Sequence, residues 1–233
     1  MGTSSDYGGG SGGRWTPAKY AATSFSKHGG RDRAERALGL LVAALGGAGA
    51  ATSNSQAARQ GARRLASFLS AASAEGIDTA LQERGLGELV GRPAADVVGA
   101  LIDLVGGSGE DRTEVAAREA ACDVLEVLAE AGAYADLADA LPDEGGLDEM
   151  LQAFVAAYVY RLLLPVFVER FERLEDVDKS AARDREVRET VEAIVAARFA
   201  DGTIKASTWT SDAADAQIEA LFAEVFGYLE ERA

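Results

Sequence analysis

The residue of this chain best suited to chemistry is its second. A Met1-Gly2 start is one that aminopeptidase trimming converts to a free glycine. Glycine carries the least hindered α-amine available, and with an unperturbed pKa of about 8 that amine is partly neutral at cellular pH. A neutral amine attacks activated carboxylates. N-myristoylation would use the same glycine, but it calls for Ser or Thr at position 6, where this chain has Asp6. Met-Gly is also simply a common start, so the two residues by themselves choose nothing.

Other constellations fail on context. Gly8, Gly10 and Gly13 have the spacing G-x-G-x-x-G, but no strand precedes them and no helix opens on them, so they read as low complexity. No G-x-x-x-x-G-K-[ST] run exists, which excludes a Walker-type ATP loop. Asp176, Asp178 and Ser180 begin like a calcium loop, yet its sixth and twelfth positions are Ala181 and Val187. Cys122, beside Ala121 and Leu125, reads as a buried inert thiol. His28, in Lys27-His28-Gly29-Gly30, would need a distant partner to serve as a general base. No set supplies acid, base and nucleophile together. The expectation is a non-enzyme that needs no cofactor and no metal.

Charge and glycine are both unevenly placed. Residues 1–64 hold nine Lys/Arg against Asp6, Asp32 and Glu35, a local net of +6, while the whole chain carries −15 and the remainder therefore −21. A basic end of this kind suits an acidic partner or a nucleic acid, or it lies against its own acidic body. Six of the first 13 residues are Gly, too few apolar groups to offset the entropy of ordering them. Residues 1–30 are therefore expected to be a flexible Gly-rich tail, with residues 31–233 forming one helical domain. Tyr7, Trp15, Tyr20 and Phe25 punctuate the tail, which suggests docking on its own body or on a partner.

Composition fits a soluble globular protein, at 48% hydrophobic and 26% charged. A single cysteine forms no internal disulfide, and one His with one Cys cannot build the usual zinc site. The elements that must carry the chemistry are helical throughout. Leu38, Leu41, Val42 and Leu45 make one stripe before Gly46-Gly47. Residues 55–74 place Arg59, Arg63 and Arg64, a possible basic contact surface, beside Leu65, Phe68 and Leu69. Pro93 opens a helix through Val97, Val98, Leu101, Ile102 and Val105 that Gly106-Gly107 ends. Thr113 is expected to cap a helix over 114–131. After Ser211-Asp212, residues Ile218, Leu221, Phe222, Val225, Phe226 and Leu229 repeat at three and four. No comparable segment alternates with period two, so the expected fold is an all-α bundle of about seven to nine helices.

Residues 150–168, MLQAFVAAYVYRLLLPVFV, are long enough for a membrane span, but Gln152 and Arg161 interrupt them. A central Arg costs about 2.5–3.5 kcal/mol on insertion scales. A buried central helix is the better account, kinked or divided at Pro165. A secretory signal over residues 31–50 starts too late and has Asp32 and Glu35 in its flank. The expectation is a cytoplasmic protein with no membrane partner.

The opening MGTSSDYGGGSGG, with QAARQGARRLASFL (56–69), resembles the QatB family of bacterial Qat anti-phage systems. So do GLGELVGRPAADVVGALIDLVGGSG (85–109) and AAREAACDVLEVLAE (116–130), and the aromatic helix at 150–168 is placed as in that family. The likeness covers most of the chain and fades beyond about residue 180. It implies a partner-dependent role in phage defence, beside an ATPase (QatA-type), a QueC-like enzyme (QatC-type) and a TatD-like nuclease. By the same resemblance the QueC-like enzyme activates a deazapurine carboxylate with ATP and couples it to Gly2. Thr3, Ser4 and Ser5, with Tyr7, Gly8 and Gly9, would be the stretch that enzyme reads. Two alternatives stay open: a helical scaffold that binds a defence ATPase without modification, or a nucleic-acid-binding module using Arg59, Arg63, Arg64 and the tail aromatics.

Overall fold

A computed structural model describes residues 13–107, 109–142, 144–174, 176–200, 209 and 214–233. Among the described residues there are eleven α-helices, one short 3-10 turn and no strand: α1 (Trp15–His28), α2 (Arg31–Ala44), α3 (Ala48–Asn54), α4 (Gln56–Glu75), α5 (Ile77–Glu83), α6 (Ala94–Gly106), α7 (Arg112–Ala129), α8 (Tyr134–Ala140), α9 (Glu144–Phe171), α10 (Val177–Phe199) and α11 (Ala214–Glu230). The class is as expected, and the number exceeds seven to nine. Helices α3, α5 and α8 have seven residues each. Two turns are too short to display a 3.6-residue period above noise.

The centre of the bundle is α9, which packs against α1, α4, α7 and α10. Leu151, Phe154, Val155, Tyr158, Val159 and Phe167 are fully buried along it. Residues Gly146–Phe171 are apolar and long enough to cross a bilayer. Enclosure by four helices accounts for that composition. Pro165 does not divide the helix, which runs on to Phe171. Proline leaves carbonyls of the preceding turn short of donors, and Arg112 reaches in from α7 to donate to the Leu162 carbonyl at 2.5 Å.

The last helix, α11, lies against α2, α3, α4 and α10. Phe222 meets Tyr158 edge to face at 5.6 Å, and the Tyr158 hydroxyl donates to Ser55 Oγ at 3.1 Å. The approach of α11 to α2 requires Gly39: a Cβ there would sit 2.2 Å from the Leu229 carbonyl oxygen and 2.8 Å from the Ala233 nitrogen. Both are backbone atoms that cannot swing away. The stripe Leu38, Leu41 and Val42 is the buried face of α2, as its spacing predicts.

Candidate functional site

The first element to consider is α1, because it falls inside the stretch expected to be a flexible tail. Residues 15–28 are instead helical, and Ala18, Ala22 and Phe25 are completely buried. Their spacing of four and three puts them on one face, and the two alanines let α1 approach α2 and α9 closely. The Phe25 ring packs edge to face on Phe167 at 5.8 Å and lies 6.3 Å from Phe171. Trp15, partly buried, lies with Leu41, Leu45, Arg112, Leu163 and Val166. Tyr20 stays exposed. Glycines stop at Gly13 and resume at Gly29, so nothing between them opposes a helix with two aromatic anchors.

The turn after α1 is fixed as well. Gly29 has φ +63°, and a Cβ on it would collide with the Arg183 guanidinium. The Gly30 amide donates to Glu186 Oε1 at 2.5 Å, and Arg183 pairs with that carboxylate at 3.0 Å. α10 thus clasps the α1–α2 corner. Gly2, Thr3, Ser4, Ser5, Tyr7, Gly8 and Gly9 lie outside the described residues. What the structure defines is the anchored helix that follows them.

The three arginines proposed as a basic contact surface lie on α4, where the spacing puts them, and each has a partner within the chain. Arg59 pairs with Glu219 and Arg63 with Asp215 at 2.8 Å, both carboxylates coming from α11. Arg64 donates to the Leu104 carbonyl at 3.1 Å. These side chains stitch α4 to α11 and α6.

A polar trough of about 440 Å³ lies where three chain segments meet. Ser53 and Asn54 come from the end of α3, Gln56 and Gln60 from the start of α4, and Asp111, Thr113 and Glu114 from the start of α7. The cap of α7 is Asp111 and not Thr113: one oxygen, Oδ1, accepts from the Thr113 amide at 2.7 Å, the Glu114 amide at 3.0 Å and the Thr113 hydroxyl at 2.7 Å. Those bonds, the Glu114 amide first, hold the Asp111 carboxyl below its ordinary range, so it stays charged. Asp with Glu three residues on is an N-terminal signature legible in the sequence. The trough itself has no such signature, because its walls are about 50 residues apart in the chain.

A second polar cluster surrounds Arg161, the residue that interrupts the apolar run of α9. Its guanidinium makes a two-pronged pair with Asp123 at 2.9 and 2.6 Å. Arg188 lies 3.8 Å from Asp123 and stacks over the Tyr160 ring, 4.5 Å from its centre. Burial, then the bond to Asp184 at 2.5 Å, pushes the Tyr160 phenol far up. Neighbouring Cys122 is exposed, contrary to the buried thiol expected. It sits on the outer side of α7, and partial burial pushes its pKa up, so it is held as the thiol. His28 ends α1 on its exposed side. Among the described residues no group of three or more His, Cys, Asp or Glu is placed to hold a metal.

Comparison with known families finds one match. The family described as "Qat anti-phage system associated protein QatB" matches residues 46–229 of the 233. The likeness therefore carries well past residue 180, and its match begins after α2. No curated protein and no solved structure matches this chain.

Proposed function

This chain belongs to the QatB family and is a component of an anti-phage defence system, and from that premise we propose that it is a non-catalytic helical adaptor whose amino-terminal glycine accepts an acyl group. Removal of Met1 leaves the Gly2 α-amine. Its nitrogen lone pair attacks a carboxylate that a QueC-like partner has activated as an adenylate. AMP departs, a proton leaves the nitrogen, and an amide bond remains on Gly2. The acyl group is of the deazapurine class. Thr3, Ser4 and Ser5 are small enough for a narrow channel and offer hydrogen bonds to it, with Tyr7, Gly8 and Gly9 following.

The observation that carries this reading is the fixed start of α1. Phe25 and Trp15 hold that helix on the body, so the Gly/Ser-rich sequence before Gly13 is joined to a fixed element. Catalysis belongs to the partner, and an ATPase of the same system is a further candidate for contact with the helical body. Adenylate chemistry draws on ATP, so the setting is cytoplasmic.

Intact-mass analysis of the untagged protein, co-expressed with its QueC-like partner, tests the reading. A mass increase confined to the amino-terminal peptide is expected. An unmodified peptide with Met1 demonstrably absent overturns it. Gly2→Leu, which retains Met1, separates the scaffold alternative: defence is lost if conjugation matters and persists if the chain is only a scaffold. The nucleic-acid alternative has less to work with, since Glu219 and Asp215 already neutralise Arg59 and Arg63.

A further inference from the structure

We infer that the apolar groove at the α9–α10 corner receives helix α1 of a second copy of this chain, with Tyr20 as the inserted side chain. The groove has a volume of about 310 Å³. Val168 and Phe171 wall it from the end of α9, and Val177 and Ala181 from the start of α10. Val177 is 80% exposed at the first position of α10, where a β-branched side chain does nothing for the helix. Val168 is exposed as well. The described residues have only five exposed large apolar side chains, and these two share one groove. Such clustering marks an interaction site, whereas single exposed apolar residues are ordinary.

Charge limits the occupant. Among the described residues, the only charged groups lining the groove are the Glu172 and Asp184 carboxylates. Of the cations at this corner, Arg170 and Arg173 pair with Glu169, and Arg183 pairs with Glu186. Lys179 and Arg185 are offset by Asp176 and Asp178. A matching surface therefore offers one large apolar side chain beside a cation, with no acid.

Helix α1 is such a surface. It contains no Asp or Glu. Tyr20, 74% exposed, is its one outward large apolar residue, with Thr16 and Ser24 one turn to either side. Lys27 lies on the same stripe, about 10 Å along the axis. Tyr20 cannot fill the groove of its own chain, because Phe25 holds α1 against Phe167 and Phe171 with Tyr20 turned to solvent. Phe171 is also a wall of the groove, and Tyr20 is about 7.5 Å of helix from Phe25. Knob and groove are therefore neighbours on the surface. A two-fold axis between two copies seats both knobs at once and closes the assembly as a dimer. The contact does not use Gly2 and does not rest on the function proposed above.

Sedimentation equilibrium of the full, untagged chain, without any partner, tests the inference. A reversible monomer–dimer equilibrium is expected at low salt, weakening as salt screens the charged rim. Tyr20→Ser and Val177→Glu are each expected to raise the dissociation constant at least about thirtyfold, the effect of removing a central aromatic or its pocket. Both residues are exposed, so the circular dichroism spectrum of either variant should match that of the wild type. Lys27→Glu is expected to weaken the dimer about fivefold or more, and adding Glu172→Lys to restore it. A chain that stays monomeric at every soluble concentration overturns the inference. So does a dimer that Tyr20→Ser and Val177→Glu leave unchanged, or a charge swap that fails to restore association.

Discussion

Two of the contacts between the basic first quarter of the chain and the acidic remainder are built from different interactions. At α1 the contact is apolar: Phe25 on Phe167 and Phe171, with Ala18 and Ala22 buried beside it. At α4 and α11 the rim of the contact is ionic, with the Asp215 side chain 69% exposed opposite Arg63. Both contacts fold the +6 end of the chain onto its own body. Only the first does so independently of salt, because burial of apolar area is not screened whereas exposed charge pairs are. Helix α1 is thus docked mainly through apolar contacts that salt does not screen, with the Arg183–Glu186 clasp at its end.

The comparison breaks most readily at Phe25. Phe25→Ala is expected to cost about 3–5 kcal/mol, the usual loss for emptying a packed aromatic site, read as a lower urea midpoint at unchanged slope. A loss below about 1 kcal/mol would mean that α1 is not part of the cooperative body. Gly39→Ala comes next. The added methyl meets backbone atoms of Leu229 and Ala233, and overpacking of this kind costs about 1–3 kcal/mol. Circular dichroism under thermal unfolding reads it, and an unchanged Tm would show that α2 and α11 can part without loss.

The third effect depends on pH. Burial pushes the Tyr158 phenol up to about 12, with the bond to Ser55 opposing that shift. Unfolded, the same phenol ionises at about 10. The folded state therefore holds an extra proton between those values. Its stabilising contribution is whole below pH 10 and is lost as pH rises toward 12, at up to about 1.4 kcal/mol per pH unit. Urea midpoints measured from pH 9 to 11.5 are expected to fall more steeply for the wild type than for Tyr158→Phe. Parallel curves would deny Tyr158 the role.

Elements with three or more turns of apolar repeat were legible as sequence. α4, α6, α9 and α11 lie where Leu65, Val98, Phe154 and Phe222 place them, since a long stripe leaves few alternative pairings. Helix α1 was hidden by its neighbourhood: the glycines before and after it dominate the composition, and its buried residues are only Ala18, Ala22, Phe25 and Ser26. Partners of the arginines were out of reach for a different reason. Arg63 and Asp215 are 152 residues apart, and nothing in either local pattern names the other. The trough was illegible on the same ground. The amino-terminal glycine, in contrast, was legible only as sequence, through its chemistry.

The smallest effect sharpens the ionic side of the comparison. Arg63 is 42% exposed and its partner more so, and pairs of that kind contribute about 0–1 kcal/mol. Arg63→Ala is therefore expected to lower stability by less than about 1 kcal/mol, and the difference should vanish near 1 M salt, where the screening length is about 3 Å. Phe25→Ala should keep its full loss in the same salt. Single-stranded DNA affinity at low salt is a second measure on the same variant. With Asp215 holding the guanidinium, removing Arg63 should leave that affinity unchanged. A drop would mean that phosphate outcompetes Asp215 for this arginine, and that the α4–α11 rim opens to nucleic acid where the α1 contact stays shut.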